Sequence, residues 1–294
     1  MTAPPTPIDI QPRKRLLHGW IQSQVSDDAR LWIDQMIAAI ESGERPHQLA
    51  IAIGLAPRKV GKADLILTPA QQEEGRAVRD GLDVTGWSVD QAARVLLVLS
   101  SYRGDDHAFV ETLGRLTASS EIGEQIALLK GLALFPASER LVFLGVEGVR
   151  SAMQPVFEAV AHRNPYPRET FSEAQWNQMV VKALFIGSRL DPIQGLDARR
   201  NADLAQMLTD YAAERRAAGR TISPELWRCV APFASEADVA ALGRILAEGT
   251  DAERRGAALA LAECPLPSAR TALAAHPDFE AAIADGRASW ASIT

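Results

Sequence analysis

The sequence predicts an all-α protein, and three observations carry that prediction. N-cap signatures recur just ahead of apolar stripes with helical spacing, alanine is the commonest residue, and runs of alternating β-branched residues are missing. The arrangement expected is a set of stacked antiparallel helical hairpins, a HEAT-like or irregular α-solenoid.

Residues 1–25 read as a partly disordered N-terminal arm, because Pro4, Pro5, Pro7 and Pro12 precede the basic run Arg13-Lys14-Arg15. That opening lacks the basic start and apolar run of an export signal, so a cytoplasmic location is expected. Residues 26–294 are expected to form a single all-α domain. Its first cap is Thr68-Pro69-Ala70-Gln71, a hydroxyl followed by Pro in the first turn and Gln three residues on. Ser88-Val89-Asp90-Gln91 repeats the box before Ala92, Val95, Leu96 and Leu99. The aliphatic run Val95 to Leu99 is far too short to span a bilayer, and no membrane insertion is expected. Asp105-Asp106-His107 reads as an acidic helix start more readily than as a metal site.

Ile122, Ile126, Leu129 and Ala133 form one apolar stripe, Val142, Val146 and Val149 a second, and Leu204, Met207, Leu208 and Tyr211 a third. Ser172-Glu173-Ala174-Gln175 and Thr250-Asp251-Ala252-Glu253 are further capping boxes, and Ser223-Pro224-Glu225 reads as a cap with Pro in the first turn. Ser235, Thr250, Pro265-Leu266-Pro267 and Pro277 divide the C-terminal segment into short helices. Leu242, Leu246, Leu259, Leu261 and Leu273 are their expected core, as HEAT-like hairpins over 235–294.

Composition narrows the function classes. With 31 Lys+Arg against 37 Asp+Glu, the net charge of −6 argues against nucleic acid or an anionic membrane as the main partner. Two cysteines, Cys229 and Cys264, offer neither a disulfide framework nor a cysteine zinc site, and the five histidines are scattered. Phosphate-loop, zinc-helix, nucleophile-elbow and dinucleotide-turn motifs are absent. No cofactor and no metal are expected.

Two connections are longer and chemically richer than hairpin turns. The first is His162-Arg163-Asn164-Pro165-Tyr166-Pro167-Arg168, where two prolines fix the backbone around an exposed aromatic ring. The second runs from Gly187 to Asp197. The helix between them is apolar nearly all round from Met179 to Ile186 and is expected to be buried. Asn177 lies on its core stripe, where an amide must find partners, and Gln178 and Lys182 share another face. Asn177 can tie down a neighbouring loop and Lys182 can reach solvent, or both can serve a ligand. Basic residues at Arg199-Arg200, Arg215-Arg216 and Arg220 offer an anion-binding face, or a solvated surface laced with ion pairs.

The block Asn164-Pro165-Tyr166-Pro167, Trp176-Asn177-Gln178-Met179-Val180, Gly195-Leu196-Asp197, Asp210-Tyr211 and Pro224-Glu225-Leu226-Trp227-Arg228 resembles the signature of the EboA family, densely over Asn164 to Arg228. Lys182, Arg199, Asn201, Glu214 and Arg215 fall in the same block. The resemblance implies a protein of bacterial gene clusters that also encode a UbiA-like prenyltransferase, a TatD-like metal hydrolase, a dehydroquinate-synthase-like enzyme and a sugar-isomerase-like protein. It implies a role in making or exporting a specialised metabolite, and it brings no catalytic residue with it.

The function expected is a non-catalytic helical adaptor or small-molecule-binding protein. Its partner would be a protein of the same cluster or a small metabolite. The competing expectation is an enzyme with an unfamiliar site acting on a cyclitol-like or prenylated intermediate, in which His162 is acid or base, Lys182 and Arg199 fix an anion, and Asn177 orients the substrate. Binding candidates on either reading are His162, Asn164, Tyr166, Trp176, Asn177, Lys182, Asp197, Arg199, Asn201, Asp210 and Arg215.

Overall fold

The computed structural model describes residues 9–44 and 47–293. Among them are seventeen α-helices and no strand, apart from an isolated antiparallel bridge between Asp64 and Ser88, so the chain is all-α. It divides into two compact units, one ending at Phe171 and the other running Ser172–Thr294.

The first unit holds α1 (Gln11–Gln22), α2 (Asp27–Ser42), α3 (Gln48–Val60), α4 (Pro69–Val78), α5 (Val89–Ser100), α6 (Asp106–Ser119), α7 (Ile122–Lys130), α8 (Val142–Arg150), α9 (Gln154–Ala161) and α10 (Tyr166–Thr170). Helix α1 falls inside the segment read as an arm. Pro12 sits in its first turn, and Leu16, Leu17, Trp20 and Ile21 are buried at helical spacing. The prolines before it, Pro4 to Pro7, lie outside the described residues.

Helix α5 is the centre of this unit. It is buried along nearly its whole length and packs against α1, α2, α3 and α7. A helix this apolar tolerates charge only in pairs, and its two ionic residues, Asp90 and Arg94, meet one turn apart at 2.6 Å. Arg94 also donates to the carbonyls of Ile53 and Gly123, and Ser88 Oγ donates to the Asp90 carboxylate. The caps read from sequence mostly form: Gln71 N–H donates to Thr68 Oγ1 at 3.3 Å, and Thr68 N–H donates back to Gln71 Oε1 at 2.9 Å. Asp105 caps α6 by accepting from His107 and Ala108 N–H.

The second unit holds α11 (Glu173–Phe185), α12 (Ala202–Ala217), α13 (Leu226–Val230), α14 (Glu236–Glu248), α15 (Asp251–Glu263), α16 (Pro267–Ala274) and α17 (Pro277–Ala284). Ser172 and Thr250 close the expected boxes on α11 and α15. Helix α14 packs on α15 and α16, and α15 reaches α13, α16 and α17, around buried Leu242, Leu246, Leu259, Leu261 and Leu273. Gly256 of α15 lies against Pro224, where a Cβ would come within 2.7 Å of the proline ring.

Four local expectations change here. Ile122, expected in the apolar stripe of α7, is exposed, while Leu129 and Ala133 are buried. Ser223 does not cap a helix: α13 starts at Leu226, because the Glu225 carboxylate turns away to accept from the N–H groups of Leu190 and Asp191. Met207, expected in the core stripe of α12, is exposed, while Leu204 and Leu208 are buried. Phe185, at the end of the helix expected to be buried all round, is 70% exposed.

Candidate functional site

A cavity of about 340 Å³ lies in the first unit, framed by the C-terminal end of α7, the start of α5, helix α9 and the loops 82–87 and 162–165. Its volume is at the small end of the range for ligand pockets. The floor is apolar, with Trp87, Ile126 and Ala159. The charged and polar residues are Lys130, Arg163, His162, Asp83, Glu158, Thr85, Gln91 and Asn164.

Lys130 is the last residue of α7, where a cation also suits the helix dipole. Its Nζ donates to Gly86 O and to Gln91 Oε1, each at 2.8 Å. The same Gln91 oxygen accepts from Ser88 N–H, so the cap of α5 and the position of Lys130 are tied together. Burial, reinforced by the Arg163 charge and opposed by Asp90, pushes the Lys130 ammonium down to a pKa of about 8.

The opposite wall is the turn after α9. Arg163 has φ 49, a left-handed conformation that a non-glycine residue adopts at a cost of roughly 1–3 kcal/mol. Asn164 holds that turn closed. Its Nδ2 donates to Ala159 O at 3.2 Å and Leu129 O at 3.4 Å, and its Oδ1 accepts from Tyr166 N–H at 3.0 Å. Arg163 reaches Asp83 across the opening at 3.7 Å, too long for a hydrogen bond. A neighbouring cavity of about 280 Å³ shares the segment 82–86 and is bordered by Trp20, whose buried indole N–H has no partner.

Of the residues singled out from sequence, His162 and Asn164 line the larger cavity. Tyr166 is a correction: the ring expected to be exposed is buried, packed where Gly145 leaves room for it, and its hydroxyl donates to Ser138 O at 2.5 Å. Burial raises the pKa of that phenol well above its ordinary range.

The remaining candidates belong to the second unit. Asn177 and Asn201 form a reciprocal amide pair, at 3.1 and 2.9 Å, and Asn201 also caps α12 by accepting from Leu204 N–H. Arg199 lies over the buried Trp176 ring, 4.7 Å from its centre, a cation–π contact. Asp197 receives a two-pronged contact from Arg228, with Nε and Nη each at 2.8 Å, and its pKa is lowered by that hydrogen bond. Arg228 also reaches Asp191 at 3.0 Å, so one guanidinium pins both ends of the loop that contains Ile193 and Leu196. Asp210 is exposed and accepts from Gln206, Arg215 donates to Thr221 O, and Lys182 is half-buried, its pKa lowered by desolvation. Burial pushes the Cys229 thiol up to about 12, which makes it inert at neutral pH.

The sequence reading missed Lys130 and Arg163. The signal for Lys130 was its place four residues after Ile126, where a charge follows the apolar stripe at the end of the helix. Among the described residues no group of three His, Cys, Asp or Glu is placed to hold a metal ion, and no helix is long and apolar enough to cross a membrane.

The family model described as metabolite traffic protein EboA matches residues 13–231 of the 294. No curated protein and no solved structure matches the chain.

Proposed function

The chain belongs to the EboA family, and from that membership we propose that it is a non-catalytic binder of a small metabolite, which it holds in the cavity framed by α5, α7 and α9. The family's description, metabolite traffic protein, supports a role in handling metabolites. The observation that carries the reading is the cavity itself, an apolar floor ringed by a few positioned polar groups. In this reading His162 belongs to the binding site, and Asn164, its amide committed to Leu129, Ala159 and Tyr166, shapes the turn that lines it. Asn177, Asp197 and Asn201 are framework, since the two amides pair with each other and the carboxylate with Arg228, and the buried Trp176 ring is covered by Arg199. An enzyme in which Asn177 orients a substrate is less well supported, because Asn201 occupies both ends of its amide.

Incubation of the full chain with a small-metabolite extract, followed by native mass spectrometry, tests the reading. Thr85 is exposed on the rim of the cavity, so Thr85→Trp obstructs it without touching the core. The wild type retains a discrete ligand mass and Thr85→Trp, folded by circular dichroism, does not. No retained mass, or the same mass on both proteins, contradicts the reading.

A further inference from the structure

We propose that the cavity recognises an anion: a small hydroxylated metabolite is held by its carboxylate or phosphate group on Lys130, with Arg163 as the second cation. This rests on the metabolite-binding reading and names the chemical class of its ligand.

Lys130 carries the argument. An ammonium has three donors, and the two placed hydrogen bonds of Lys130 go to neutral oxygens, the Gly86 carbonyl and the Gln91 amide. Among the described residues no carboxylate forms an ion pair with it. Asp90, the acid whose charge it feels, is committed to Arg94 and Ser88. A partly desolvated cation beside a cavity, with no counter-ion, is stabilised when an anion enters.

Arg163 faces the same space from the turn after α9. Its long contact with Asp83 leaves guanidinium donors for a ligand, and Asn164 fixes the strained turn that presents it. Asp83 and Glu158, which line the cavity with them, are acceptors suited to hydroxyl groups, and Glu158 is itself oriented by Gln154. Cations for the acidic group and carboxylates for the hydroxyls describe a polyol acid or a polyol phosphate.

The charge state makes the site pH-sensitive. The groups facing Lys130 are Asp90 on α5, Arg163 and His162 on the turn after α9, Glu158 on α9 and Asp83 on the loop before α5. Below about pH 8 Lys130 is an ammonium and holds the anion, and as the pH rises above that its charge and its share of the affinity are lost together.

Calorimetry on the full chain, with inositol monophosphate, glycerol phosphate and gluconate against the neutral inositol and glycerol, decides the matter. At least one anionic probe is expected to bind more tightly than its neutral counterpart. Lys130→Met is expected to weaken that binding about ten-fold or more, with Lys130→Arg retaining part of it. Wild-type affinity declines between about pH 7.5 and about pH 9.5, and that decline is absent in Lys130→Met. Arg163→Gln, at an exposed position, serves if Lys130→Met does not fold, and it also weakens the anion. Neutral probes binding as well as anionic ones, unchanged affinity in the Lys130 and Arg163 variants, or silence from every anionic probe overturns the proposal. In each of those cases the extract experiment above still decides the metabolite-binding reading by itself.

Discussion

Asn177 shows how a residue can be read correctly as buried and still be ambiguous in role. Its spacing from Val180 and Leu184 places it on the core side of α11, where it is indeed buried. Its partner could not be read from sequence, because Asn201 lies 24 residues away and pairs only once the loop between them is folded. The pair predicts a specific energetic pattern. Asn177→Ala and Asn201→Ala each cost about 1–3 kcal/mol, since each leaves the other amide without its reciprocal bonds and Asn201→Ala also removes the cap of α12, and the double variant costs less than the sum. Urea unfolding of the four proteins measures this, and strict additivity would refute the pairing. Arg228 shows the same limit. It stands in the P-E-L-W-R block as one more arginine, yet it ties Asp191 to Asp197 and thereby shapes the loop before α12. Lys130 was visible only as a charge ending an apolar stripe, and its significance depends on Gly86 and Gln91, brought in from another element.

At the scale of the element, the caps were the most legible feature, because a capping box is written within four residues and needs no tertiary partner. The boxes at Thr68, Ser172 and Thr250 form with both of their hydrogen bonds. Where a cap residue has a distant competitor the local rule gives way, as at Ser223, beside which Glu225 is drawn to the N–H groups of the 190–191 turn. The helix inside the proline-rich opening was hidden for the opposite reason: prolines before a helix and a proline in its first turn look alike in composition. Two helical glycines separate propensity from space. In α8, a Cβ on Gly148 would lie 2.7 Å from Val160 Cγ2 and 3.0 Å from Leu129 Cδ1. Gly148→Ala is expected to destabilise by about 1–3 kcal/mol through overpacking, despite a better helix former. Gly243 of α14 has open space around it, so Gly243→Ala is expected to stabilise by about 0.5–1 kcal/mol. Opposite shifts of the urea midpoint test the pair, and a stabilised Gly148→Ala would show that the α8–α9 contact is looser than described.

For the whole molecule, the helical class was legible because periodicity and caps repeat along the chain, and the family because its signature is dense from Asn164 to Arg228. The division into two compact units at Phe171 and Ser172 was not, since no linker composition marks it. Nor was the cavity, which is assembled from segments far apart in sequence: loop 82–87, the end of α7 and the turn after α9. The net charge of −6 gave no hint of it, because Lys130 and Arg163 are two cations among 31 and only their position distinguishes them. On the proposed function, this cavity is where the protein meets its metabolite. Amide chemical-shift mapping of the isotope-labelled full chain, titrated with the ligand recovered by native mass spectrometry, tests it most directly. Perturbations are expected at Gly86, Gln91, Lys130, His162 and Arg163, whereas shifts concentrated around Asp191 to Asn201 and Arg228, with Lys130 and His162 silent, would place the ligand elsewhere.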